Sequence, residues 1–333
     1  MFPKHEKEVS VFIIYMKQPQ KKRRTRRMST SHTCGPMSRK NKILKNSCFT
    51  KPAVELLVNY YNKMNPGKKM KPDMDIHILT ELRKQSRCDN NDMCLIKKFV
   101  ANKREANIIK ALIFPPKKPS GWKKDPDMWL SDTDISDVLN QYEKAYSQFS
   151  FIGPSSIDYD TIIENNKCVC QKLCNFQLAK YANEDTKHKI GIIFNLDTHD
   201  KGGSHWVSLF IDLEDNFVFY FDSTGSSIPK SIKRFTDNVI NQGQSLNPPR
   251  NISFHQNNTM EHQKTNTECG MYCLYFIITM LLREQEISYD DHSESNKKHT
   301  KTELIEYFQG KSPKGRILDS RVFKKRNEYF LNS

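Results

Sequence analysis

Three short segments carry residues of the right kind and order to do chemistry. Gly202-Gly203-Ser204-His205-Trp206-Val207 leads into a run dense in β-branched and aromatic residues. Tyr220-Phe221-Asp222-Ser223-Thr224-Gly225 closes the next such run, and His262-Gln263-Lys264-Thr265-Asn266-Thr267-Glu268-Cys269-Gly270 leads into a long apolar stretch. Together they hold the parts a cysteine nucleophile needs. The thiolate is the reactive form, and the positive end of a helix favours it; Cys269 opens such a helix. His205 is suited to take the thiol proton and to return it to a leaving amine. Asp222 is suited to orient the imidazole, because in a hairpin the start of one strand lies beside the end of the next. The Gln263 side-chain amide and the Cys269 backbone N–H are donors for a developing oxyanion, which places Gln263 near the surface of a cleft. Gly270, without a side chain, leaves room for a substrate backbone. His199 and His262 are weaker alternatives to His205, and Cys273, one turn after Cys269, reads as packing.

The elements that must position these residues follow from periodicity. Residues 190–195, 206–213 and 217–222 read as strands, the last two joined by a hairpin at Asp215-Asn216. Residues 228–240 read as a helix with Ile228, Ile232, Phe235 and Val239 on one face, 251–255 as a short strand, and 302–308 as a helix. The stretch 269–282 is apolar almost all round, so it is a helix buried on most faces. The tail after Gly310 is basic and carries no clear element. Upstream, residues 50–113 read as helical: one helix enters through Pro52 with Val54, Leu57, Val58 and Tyr61 at helical spacing, and 76–85 and 92–114 supply others. Asn65-Pro66-Gly67 breaks the first. The expected organisation is a basic, disordered arm over 1–47, a helical region over 48–114, a Pro-rich linker over 115–124, and an α+β catalytic domain over 125–333.

Composition bounds the partners. The formal charge is +15, yet residues 1–50 hold 13 Lys/Arg against 2 Asp/Glu, and residues 151–333 are close to neutral. The excess therefore belongs to the first half, as a basic arm on a near-neutral body. Lys21, Lys22, Arg23, Arg24, Arg26 and Arg27 form a cluster suited to nucleic acid or to a nuclear signal. No apolar run approaches a membrane span, and the early run at 11–16 is too short for a secretory signal; secretion and membrane partners are excluded from the reading. Nine cysteines without such a signal point to a reducing compartment rather than a disulfide framework. The spacing Cys168-x-Cys170-x3-Cys174 fits no common zinc site, so neither a metal nor a cofactor is called for.

The order His205-Trp206, Asp222, Gln263, Cys269-Gly270, with intervals of 17 and 6 residues between its first and last pairs, resembles the Ulp1/adenain clan of cysteine proteases. Within it the run from His262 to Gly270 and the run Phe221-Asp222-Ser223-Thr224-Gly225 are most similar to the polyprotein-processing proteases of African swine fever virus and other large DNA viruses, which carry Asn where this chain has Asp222. Trp129-Leu130-Ser131-Asp132 resembles a Trp-Leu-Asn-Asp segment of the SUMO proteases. The resemblance, over about 127–282, implies a papain-like Ulp1-type domain and peptide hydrolysis through a thioester. It also implies that Trp129 and Trp206 enclose a Gly-Gly substrate tail, with Asp132 and Gly270 beside it. It implies cleavage after Gly-Gly-Xaa-type sites in viral structural precursors, in the virion and at assembly sites in the host cytoplasm. Two other readings stay open: a protease that removes SUMO-like or ubiquitin-like modifiers from host proteins, and a nucleic-acid-binding particle component with an inert protease fold.

Overall fold

The computed structural model describes residues 33–41, 47–71, 76–88, 91–182, 187–283, 298–313 and 315–331. The chain forms two compact units, Met1–Lys117 with Glu328–Ser333, and Lys118–Asn327. The basic cluster at 21–27 and the apolar run at 11–16 lie outside the described residues.

The first unit is helical. Pro36–Lys40 (α1), Lys51–Met64 (α2), Ile76–Ser86 (α3), Asp92–Phe99 (α4) and Lys103–Ile113 (α5) pack around Val54, Leu57, Val58, Leu82, Ile96 and Ile109. The stretch read as one helix over 92–114 is two, because Asn102 leaves the helical conformation and caps the second through the backbone N–H groups of Arg104 (2.9 Å) and Glu105 (3.3 Å). The arm also needs correcting. Cys34, Gly35, Pro36 and Ser38 are buried, and Ser38 donates to the Ile113 carbonyl at 3.2 Å. The end of the chain joins this unit as well: the Leu331 N–H donates to the Pro116 carbonyl at 2.7 Å and Glu328 pairs with Arg39. The catalytic unit therefore stops before residue 333.

In the second unit a five-stranded sheet runs in sequence order: Phe149–Ser156 (β1), Lys189–Asn195 (β2), Trp206–Asp212 (β3), Phe217–Phe221 (β4) and Ser253–Gln256 (β5). The three central strands are antiparallel and the two edge strands pair in parallel. Alternation decides the faces. Val207, Leu209, Ile211, Val218 and Tyr220 join Ile232, Phe235 and Val239 of Lys230–Gln244 (α7) in one cluster. Phe210, Phe219 and Phe221 turn the other way, onto Phe276 of Cys269–Leu282 (α8) and Phe308 of Lys301–Phe308 (α9). With both faces covered, the central strands read as continuous apolar runs. Asp132–Ala145 (α6) packs on β1 and α8. It begins with a capping box between Ser131 and Asp134.

The hairpin between β3 and β4 is wider than the two residues expected. Asp212 pairs with Phe217, and the Asp212 carboxylate holds the turn by accepting from the backbone N–H groups of Glu214 (2.9 Å) and Asp215 (3.1 Å). The linker is not uniformly extended either: Ser120–Lys123 forms a 3-10 turn, and the Trp122 indole donates to the Met128 carbonyl at 2.8 Å. The expectation of free thiols fails for six cysteines. Cys34–Cys48, Cys88–Cys94 and Cys168–Cys174 are disulfides, leaving Cys170, Cys269 and Cys273 free. Cys88–Cys94 and Cys168–Cys174 each span six positions, and Cys34–Cys48 spans 14. No helix among the described residues is long and apolar enough to cross a membrane.

Candidate active site

The register of β3 against β4 sets Ser208 opposite Phe221. His205 sits just before β3 and Asp222 just after β4, so the antiparallel pair brings them to the same end of the sheet. Their contact is direct: His205 Nε2 lies 2.7 Å from Asp222 Oδ1. Oδ1 also accepts from the Thr224 N–H (2.9 Å) and hydroxyl (2.8 Å). Asn257, itself buried, clamps the Asp222 backbone on both sides, accepting from its N–H at 2.9 Å and donating to its carbonyl at 2.6 Å. The carboxylate is thus fully buried yet fixed.

With Nε2 held by Asp222, Nδ1 of His205 is the nitrogen left for the thiol. Burial works against the imidazolium. Hydrogen bonds to Asp222 and to Cys269, with the negative charge of both, outweigh it and raise the His205 pKa to about 9. At neutral pH the ring is therefore protonated, and faces Cys269 as a cation. Cys269 opens α8, where the first backbone N–H groups have no intrahelical acceptor. Cys273, on the same helix, is wholly buried, and burial pushes its thiol well above the ordinary value. It stays a protonated packing residue, as its spacing suggested.

Gln263 departs from expectation. It is only 5% exposed rather than lying at a cleft surface. Its Oε1 accepts from the Ser223 hydroxyl at 2.7 Å, its N–H donates to the Ser223 carbonyl at 2.8 Å, and its side-chain amide also donates to the Thr265 carbonyl. These contacts settle which end of the amide is oxygen and leave the second amide hydrogen for a ligand. Ser223, next to Asp222, thereby ties the glutamine to the histidine–aspartate end of the sheet.

The substrate-side residues divide. Trp129 is 41% exposed, and Asp132 is exposed at the start of α6, where its carboxylate accepts from the Thr133 N–H at 2.7 Å. Trp206 is 8% exposed and its indole donates to the Leu130 carbonyl at 3.1 Å. Gly270 does not leave space for a ligand: a Cβ there would lie 3.1 Å from Leu130 and 3.4 Å from Trp206. Its lack of a side chain admits these two residues of the same chain instead. Trp206, Leu130 and Gly270 are one packed group beside Cys269, and the adjoining Trp129 is exposed.

The alternative histidines are placed elsewhere. His262 is buried, with Nδ1 accepting from the Ile317 N–H at 2.9 Å and Nε2 donating to the Phe308 carbonyl at 2.8 Å. Burial keeps its pKa low; it is a neutral structural ring. His199 is exposed and bound to Asp158 at 2.7 Å. Cys168 and Cys174 are bonded to each other, and no group of three or more potential metal ligands occurs among the described residues.

Sequence reasoning missed the braces behind the site. Glu268, the residue before the nucleophile, is buried and paired with Arg326, whose guanidinium lies 4.2 Å over the Trp122 ring and 4.5 Å over that of Phe323. Burial pushes the Glu268 carboxyl above its ordinary value against the pull of Arg326. Arg316 donates to the His262 carbonyl at 2.6 Å. Both arginines belong to the tail that showed no clear pattern.

A family model described as "Ulp1 protease family, C-terminal catalytic domain" matches residues 140–311. A protein of Acanthamoeba polyphaga mimivirus named as a thiol protease is 26% identical over 270 residues, 75% of this chain and 85% of that protein. A cysteine protease of African swine fever virus is 25% identical over 155 residues, 44% of this chain and 56% of its own length. The chain thus spans about half of that relative. The counterpart in another isolate of the virus, also 25% identical over 155 residues, is named a SUMO-1 cysteine protease. The crystal structure of the African swine fever virus pS273R protease has the same fold: TM-score 0.55 at 20% identity, covering 92% of this chain and 98% of that one.

Proposed function

The chain belongs to the Ulp1 protease family and is a cysteine protease, and from that premise we propose that it cleaves viral structural precursor proteins after Gly-Gly-Xaa-type sites during particle maturation. In the first step Cys269 Sγ attacks the scissile carbonyl, and the amide of Gln263 with the Cys269 N–H receives the oxyanion. His205 gives its proton to the departing amine, which leaves a thioester on Cys269. Water, deprotonated by His205, then releases the acid product and restores the thiol. Asp222 holds the ring for both proton transfers and stays ionised throughout.

The observation that carries the specificity is the pairing of an exposed Trp129 with a buried Trp206 through the Leu130 carbonyl. The wall beside Cys269 is filled, since a Cβ at Gly270 would meet Leu130 and Trp206, and we infer that an incoming chain passes the exposed indole of the adjoining Trp129. Glycine is the residue that such a passage admits most readily. The relatives are viral, which favours precursor processing at assembly sites in the host cytoplasm and in the virion. The basic cluster Lys21, Lys22, Arg23, Arg24, Arg26 and Arg27 adds attraction to nucleic acid in the same particle.

The second reading, removal of a SUMO-like or ubiquitin-like modifier, is favoured by the name of the SUMO-1 cysteine protease of the virus. The chemistry is identical, so substrates must decide. The purified full chain and a Cys269→Ala control are incubated with precursor peptides containing Gly-Gly-Xaa, matched peptides with Ala-Ala, and SUMO and ubiquitin fusions. Cleavage of the Gly-Gly-Xaa peptides alone is the expected result. Cleavage confined to the fusions overturns precursor processing in favour of the second reading.

A further inference from the structure

The oxyanion hole assembled here has two donors on different segments, the amide of Gln263 on a loop and the N–H of Cys269 on α8. Such donors act only when held at a fixed separation, since they must sit about 2.7–3.1 Å from the oxyanion. The loop has no regular structure of its own. One carboxylate that lies against both segments comes from the far end of the unit, beyond the 140–311 region matched by the family model.

We propose that Asp319 is a positioning residue for the oxyanion hole, tying the Gln263 loop to the helix of the nucleophile. Its carboxylate accepts from the Lys264 N–H, 3.2 Å from each oxygen, and its Oδ1 lies 3.0 Å from the Tyr272 hydroxyl, whose one hydrogen it shares with the Ile317 carbonyl at 2.9 Å. Lys264 directly follows Gln263. Tyr272 lies three positions after Cys269, one turn along the same face of α8. One side chain thus spans the two segments that carry the donors. Arg316 completes the brace, donating to Asp319 Oδ2 at 3.3 Å and to the His262 carbonyl at 2.6 Å, on the other side of Gln263. The Tyr272 hydroxyl also reaches the His262 carbonyl at 3.3 Å. Both neighbours of Gln263 are therefore anchored through Asp319 or its partners. Hydrogen bonds to an ionised acceptor are the stronger kind, and a preorganised site needs its supporting residues locked as firmly as its donors.

The proposal rests on Gln263 serving the oxyanion, and a double-mutant cycle separates the two claims. Steady-state hydrolysis of a short Gly-Gly-Xaa peptide is measured for wild type, Asp319→Ala, Gln263→Ala and the double variant, with thermal melting of each. Asp319→Ala is expected to lower kcat by about 10–100-fold, the range a small misplacement costs, with KM little changed. Asp319→Asn keeps an acceptor oxygen and should restore most of the loss. In the Gln263→Ala background, Asp319→Ala should change kcat by less than about twofold, because the donor that Asp319 holds against the Cys269 N–H is already gone. An equal loss in both backgrounds, or wild-type kcat in Asp319→Ala, overturns the positioning role. Wild-type kcat in Gln263→Ala overturns the oxyanion reading itself, and this proposal with it. If Asp319→Ala does not fold, Tyr272→Phe breaks the same tie at its helix end and is read in the same cycle by the same criteria.

Discussion

The two units keep their shape by different means. In the catalytic unit, β2, β3 and β4 are buried along nearly their whole length, and apolar helices cover both faces of the sheet. In the helical unit there is no sheet among the described residues, and polar and covalent ties join separate helices around one apolar cluster. Asp92, fully buried in its side chain, accepts from Arg83 at 2.6 Å, the Ser47 hydroxyl at 2.8 Å and the Cys48 N–H at 2.7 Å. Cys34–Cys48 and Cys88–Cys94 fasten the segments around it. The contrast separates chemistry from cohesion. In the catalytic unit a loop residue off the sheet is replaceable at the expense of rate, while in the helical unit one carboxylate is replaceable only at the expense of the fold.

Gln263→Ala tests the first half of this contrast with the largest expected effect. Loss of one preorganised donor should lower kcat by about 10²–10³-fold, while the melting temperature moves little because the sheet is intact. A loss confined to KM would make Gln263 a binding residue only. Asp92→Ala tests the other half. It strands Arg83, whose side chain is 8% exposed, and breaking such a buried pair costs about 3–5 kcal/mol. Chemical denaturation should show the helical unit losing stability by that amount, while hydrolysis of a short peptide stays within about threefold of wild type, as for independent sites. A matching collapse of activity would show that the two units act as one.

The pH dependence sharpens the comparison within the catalytic unit. His205 remains protonated until pH approaches its raised value of about 9. The imidazolium persists below that value, and the alkaline limb of kcat/KM should fall there. Asp222→Ala removes a hydrogen bond and a negative charge that favour the imidazolium and leaves burial, which disfavours it, so the limb should move to lower pH. An unmoved limb would mean that another group sets it. The smallest effect belongs to the arm. Deletion of 1–32 should leave peptide hydrolysis and melting unchanged, whereas deletion of 1–47 removes Cys34 and Ser38 from the packed helical unit and should lower its melting temperature. Equal melting of the two truncations would show that 33–47 contributes nothing to stability.

Much of the candidate site was legible because it sits where periodicity changes. His205, Asp222 and Cys269 each mark the point at which a strand or helix begins or ends, and period-2 burial with short turns brings such points together. The edge strand β1 escaped because Gly153 and Pro154 interrupt its alternation, and its pairing with β2 shifts register between Ile152 and Ser155. α6 escaped although its capping box is local. The bracing contacts of Asn257, Ser223, Asp319 and Arg326 escaped for a different reason. They join residues 35 to 58 positions apart in the chain, and no spacing rule reaches that far. Gly270 was legible as a required glycine and misread as to its neighbour, since only the packed structure shows Leu130 and Trp206 filling the space.

The central claim is that one thiol of the three left free performs the reaction. A Gly-Gly peptide ending in a thiol-reactive electrophile, incubated with the full chain near neutral pH and followed by proteolytic mass mapping, tests it most directly. The account predicts a single stoichiometric adduct on Cys269, abolished in Cys269→Ala and retained in Cys273→Ala. An adduct on Cys170 or Cys273 in the wild-type protein, or cleavage of a precursor peptide at the wild-type rate by Cys269→Ala, would contradict it.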